Sequence, residues 1–179
     1  MPTPTSFAAI RRALAPLERE ALVKLIGELH ALNERNRDFL ATRFLAKGGT
    51  PERYKKIIRE ALCPCLPDED GDVSFREARR AIGDYRKASG DAAGLAELLV
   101  FAAECGTRFT LEYGDIDEPF YNALENLFAD AAKAVSALDA QTAAPLVARL
   151  RELLVKVDGT IGWGLLEGFE GAFHDAFGE

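Results

Sequence analysis

Glu112, Tyr113, Gly114, Asp115, Ile116, Asp117, Glu118, Pro119, Phe120 and Tyr121 form the densest polar cluster in the chain. Oxygen ligands gathered around a glycine turn suit a hard cation such as magnesium or calcium. On that reading Asp115, Asp117 and Glu118 would serve a metal-assisted hydrolase or transferase, with Tyr113 or Tyr121 as proton donor and nearby arginines as anion clamps. The spacing matches no calcium loop, however, and no histidine stands close by to complete a transition-metal set. The same residues have a structural use. Asp115 or Asp117 can cap the helix that follows, the charge of Glu118 complements the positive end of its dipole, and Pro119 suits its first turn.

The other reactive residue types are sparse. Cys63-Pro-Cys65 lacks C-x-x-C spacing and a second ligand pair, and Cys105 falls on an apolar helix face where a thiol acts as a small hydrophobe. His30 and His174 are the only histidines, both inside apolar helical patterns, so no catalytic triad is readable. Glu170 and His174, four apart, share a helix face, a spacing that suits a surface hydrogen bond as well as a ligand pair. Gly48-Gly49-Thr50 lacks the Lys-Ser/Thr of a phosphate loop. No cofactor and no metal are expected.

Arg76, Arg79, Arg80, Arg86 and Lys87, with Tyr85 among them, make a basic helix that would contact phosphates in a nucleic-acid accessory protein. A net charge of −7 and a pI near 5.0 argue against general nucleic-acid affinity. The charge is unevenly placed: residues 34–62 carry eight bases against four acids, while residues 89–141 carry ten acids against two bases. The two halves would attract each other within one molecule, or the basic one would present a face to an acidic partner.

These residues need a scaffold, and apolar spacing of three and four recurs almost everywhere without the alternation of a half-buried strand. The expected fold is all-α, an irregular bundle or a short right-handed stack of antiparallel helix pairs with about eight or nine helices, in a single domain over residues 1–179. A helix near 5–14 precedes Pro16, which is placed to open the next helix, where Leu22, Leu25, Ile26, Leu29 and Leu32 form one stripe. A further helix carries Phe39, Leu40 and Phe44 and stops at Lys47, Gly48 and Gly49. Thr50 and Pro51 open another, which Pro64 ends. Ser74 and Glu77 read as a capping box. Asp91 caps a helix apolar on nearly every side, which belongs at the centre.

The last segment stands apart. If Gly162–Ala176 is helical, Leu165, Leu166, Phe169, Phe173 and Phe177 line one side, and Gly164, Gly168 and Gly171 line the other. Each glycine costs roughly 1 kcal/mol inside a helix, which asks for close packing by this chain or a second subunit. Trp163, Gly164, Gly168, Gly171, Phe169 and Phe173 are therefore the candidate interface, and 160–179 the candidate docking or dimerisation helix.

The segments Leu32-Asn33-Glu34-Arg35-Asn36-Arg37-Asp38-Phe39-Leu40, Tyr54-Lys55-Lys56-Ile57-Ile58, Ala81-Ile82-Gly83-Asp84-Tyr85-Arg86-Lys87, Gly94-Leu95 and Tyr113 to Tyr121 carry a resemblance. Over roughly residues 25 to 138 the chain resembles a family of small bacterial helical proteins of unknown function, in which the Cys63-Pro-Cys65 pair is not a feature. The resemblance implies a helical fold and no activity. The expectation is a non-enzymatic helical interaction module binding a protein partner or itself. The longest apolar run is far short of a membrane span, and no secretory signal is readable, so a cytoplasmic protein is expected.

Overall fold

The computed structural model of the chain describes residues 6–45, 51–63 and 73–178. Among them the regular elements are all α-helices: α1 (Phe7–Leu14), α2 (Arg19–Leu32), α3 (Glu34–Phe44), α4 (Glu52–Leu62), α5 (Phe75–Ser89), α6 (Ala92–Tyr113), α7 (Glu118–Ser136), α8 (Ala140–Val157) and α9 (Leu165–Phe177). They pack as a bundle, without strands among the described residues. Lys47, Gly48, Gly49, Thr50, Pro64 and Cys65 lie outside the described residues. No helix among those described is long and apolar enough to cross a membrane.

The centre is α6, a helix of 22 residues that packs against α4, α5, α7 and α8. Leu98, Val100, Ala102 and Ala103 are fully buried because its apolar residues occupy more than one face, so it needs neighbours on several sides. Helix α9 closes the bundle on α7 and α8, with the Phe169 ring stacked on Phe128 at 3.9 Å and 11°.

Local capping follows the side chains that can accept a backbone N–H. Asp91, Asp117 and Asp139 each cap a helix, and Gly90 ends α5 in the left-handed region with φ 66°. Some helix starts and caps differ from the sequence reading. Pro16 does not open α2; it sits in the turn after α1, and Glu18 precedes the first residue, Arg19. Ser74 and Glu77 make only half of a capping box. Ser74 Oγ accepts the Glu77 N–H at 3.3 Å, but the Ser74 N–H donates to the Ala61 carbonyl at 2.8 Å, which leaves the Glu77 carboxylate for another use.

The basic and acidic halves meet across the bundle. Arg149 on α8 grips Glu104 of α6 through Nε and Nη2, both at 2.7 Å, and reaches Glu97 at 2.6 Å. Lys55 of α4 joins the same Glu97 at 2.9 Å. Burial disfavours the charge on Glu97, yet the hydrogen bonds from Lys55 and Arg149 outweigh it and hold its pKa below the ordinary carboxylate value. The network ties α4, α6 and α8 together on one side of the bundle.

Candidate interaction surface

The acidic turn between α6 and α7 is knitted together by its own residues. Asp117 Oδ1 accepts the Phe120 N–H at 2.9 Å as the cap of α7, with Glu118 in the first turn and Pro119 beside it. Tyr121 is buried, and its phenol lies 2.8 Å from Thr110 Oγ1 and donates to Asp115 Oδ1 at 3.2 Å. Tyr113 leans on the Phe109 ring at 4.7 Å and stays partly exposed. No group of three or more His, Cys, Asp or Glu side chains is placed to hold a metal ion among the described residues. The turn's polar atoms thus close a helix junction, which is what a short loop between two long helices requires.

The arginines of α5 do not gather with those carboxylates. Arg79 pairs with Asp130 of α7 at 2.6 Å, Arg76, Arg86 and Lys87 are exposed, and Arg80 lines a groove between α3, α4 and α5. That groove, about 1060 Å³, also receives Glu77. Arg35 bridges it as a bidentate pair with Asp84, Nη2 at 2.6 Å, and Arg53 contacts Glu34 and lies 2.7 Å from Asp38 Oδ1. Burial raises the pKa of Asp38 above the ordinary carboxylate value against the pull of Arg53. The groove mixes both charges and closes most of them on each other, which suits joining helices more than holding an anion.

On α9 the candidate interface divides. Phe169 and Phe173 are buried in the chain's own core and are not available to a partner. Gly164 is not inside the helix but precedes it with φ 73°, next to Trp163 at φ 62°, whose ring stacks on Tyr121 at 5.8 Å. An added β-carbon at Gly168 would come within 2.7 Å of Glu125 Cδ on α7, so the close approach is made within one chain; at Gly171 it would meet nothing within 4 Å. Burial raises the pKa of Glu125 there.

The two described thiols are likewise absorbed. Cys105 is buried, which pushes its pKa up to about 12. Cys63 is buried too, with Arg108 Nη2 2.8 Å from its sulfur.

What sequence reasoning did not single out is the N-terminal arm. No residue of α1 or α2 is buried. Among the described residues, ten of the fifteen exposed large hydrophobic side chains lie in residues 7–45, among them Phe7 at 74%, Ile26 at 45%, Leu29 at 47% and Leu32 at 73% exposure. The stripe read from the spacing of α2 is real, but among the described residues it is left largely uncovered. Its signal was in the sequence as amphipathicity; what it faces was not. Comparison with family models, curated proteins and solved structures finds no match to the chain.

Proposed function

We propose that the protein is a non-enzymatic helical interaction module whose contact surface is the α1–α2 arm rather than α9. The observation that carries this is the largely uncovered apolar stripe of α2 on a chain whose helices α4 to α9 share a core. Large apolar side chains left exposed along one helix mark association sites in folded proteins, because leaving them in water forgoes the burial that drives folding elsewhere. The chemistry-bearing residues support the same reading, since Asp115, Asp117 and Tyr121 hold a turn and the α5 arginine Arg79 is paired.

The test is the pair Ile26→Asp and Leu29→Asp, each measured for urea stability and for association. A contact surface of this kind predicts unfolding midpoints close to the parent's, together with loss of binding. If either variant lowers stability by the 2–5 kcal/mol typical of a deleted core side chain, the stripe belongs to the chain's own interior and the reading falls.

A further inference from the structure

We infer that the cleft between α6 and α8 is a binding site for a small apolar monocarboxylate. None of the residues lining it belongs to the α1–α2 arm, so it is a second site, independent of that surface. The cleft has a volume of about 260 Å³, with apolar walls from Phe101, Leu111 and Leu153. Thr107 also lines it, fully buried, and its hydroxyl has no hydrogen-bond partner among the described residues. A hydroxyl withdrawn from water without a partner costs free energy, so such groups are few in folded proteins and each calls for a partner from elsewhere. An apolar cavity of about 150 Å³ holds benzene, so this one suits a ligand of roughly ten non-hydrogen atoms, the size of octanoate.

The charges around the cleft select the head of that ligand. Among the described residues Glu104 is the one acid that lines it, and Arg149 already holds both of its oxygens at 2.7 Å. Lys156 lines it from α8 and pairs with Glu152 at 3.0 Å on the exposed surface, a type of pair that contributes little. Arg108 is exposed and forms no ion pair among the described residues. Its guanidinium rests on the Cys63 sulfur, a weak acceptor, with Nη2 at 2.8 Å, while Glu112 one turn on acts on it only through space. Arg59 adds a further cation over the Phe101 ring at 5.4 Å. On a chain of net charge −7 this is a local excess of positive charge. A carboxylate is a far better partner for a guanidinium than a thiol sulfur, so an anionic head gains at Arg108 without breaking an ion pair there. The Thr107 hydroxyl is left to donate to it, and the apolar walls take the tail.

Isothermal titration calorimetry of the full chain with octanoate, octanol and acetate tests this. Octanoate is expected to bind at a single site per chain. Octanol, which lacks the charge, and acetate, which lacks the tail, are each expected to bind about tenfold more weakly or worse. Thr107→Val removes the hydroxyl and keeps the shape. It is expected to weaken octanoate about tenfold while leaving the ligand-free thermal midpoint unchanged or higher, because an orphaned group is gone. Arg108→Gln, at an exposed position, is expected to weaken octanoate by a similar factor, and Leu111→Trp to fill the cleft and abolish binding. If Leu111→Trp loses its helical circular dichroism, Thr107→Val and Arg108→Gln decide the matter. No binding at millimolar octanoate overturns the proposal, as does octanol binding as tightly as octanoate. Binding that survives Thr107→Val and Arg108→Gln but falls with Ile26→Asp is adventitious coating of the α2 stripe, and overturns it too.

Discussion

The phenol of Tyr85 lies across Gly94. A β-carbon added at Gly94 would fall within 2.8 Å of Tyr85 Cζ and closer still to the phenol oxygen, which donates to Asp91 Oδ2 at 3.0 Å. Asp91 meanwhile accepts the Gly94 N–H through Oδ1 at 3.1 Å, so one carboxylate caps α6 and orients the ring that forbids a side chain three residues later. Burial, followed by the bond to Asp91, pushes the Tyr85 pKa up to about 12.

Gly94→Ala is therefore expected to destabilise the chain by about 1–3 kcal/mol, the cost of overpacking, even though alanine is about 1 kcal/mol better than glycine in a helix. Tyr85→Phe removes the oxygen in the way. Urea unfolding of the double variant should show a cost well below the sum of the two singles. Strict additivity would show that the phenol oxygen is not the group in the way.

Acid stability should report on Glu97. Its folded pKa is depressed below 4.5, so its contribution is fully present above the unfolded value and is lost as pH falls through the folded one. The raised carboxyls, Asp38 and Glu125, act in the opposite sense in that range, since protonating them relieves a buried charge. Glu97→Gln should cost about 1.5–3 kcal/mol at neutral pH, as expected for hydrogen bonds to a charged group. The difference from the parent should shrink as the pH is lowered below about 4.5. A gap independent of pH would mean that the charge of Glu97 contributes nothing.

The two glycines inside α9 should respond differently to alanine. Gly171 faces open space, so Gly171→Ala should stabilise by roughly 0.5–1 kcal/mol. At Gly168 the new methyl group must displace the Glu125 side chain, which offsets part or all of that gain. Thermal unfolding ranks the pair, and equal effects would contradict the packing of α9 on α7.

Cys105 should resist alkylation in the native chain. A buried thiol with its pKa raised to about 12 is almost wholly protonated at pH 8. Iodoacetamide labelling read by peptide mass should modify Cys105 only after denaturation; prompt native labelling would show that α6 opens.

Much of the fold was legible in the residue order because helices are local. Spacing of three and four placed the α2 stripe, apolar residues on nearly every side marked α6 as the central helix, and Asp91 and Asp117 cap where they do because a short carboxylate reaches N–H groups only two or three residues ahead. The dual use of the acidic turn was legible as two alternatives, and local order could not separate them. Tyr121 reaching back to Thr110 and Asp115 is a contact of the folded junction between two helices.

Elsewhere the order of residues left the decision open. Ser74 met the pattern of a capping box, but its N–H was taken by Ala61, twelve or more residues earlier, so Glu77 turned into the groove instead. Spacing also gave α2 and α9 similar apolar stripes. One is buried against α7 and α8 and the other, among the described residues, is left largely uncovered, because periodicity states that a face is apolar and carries no information about its neighbour. The sequence alone determined the helices, their caps and their greasy sides, which depend on neighbours a turn or two away. Only the tertiary structure decided which of those sides face each other, because that depends on where the chain returns in space.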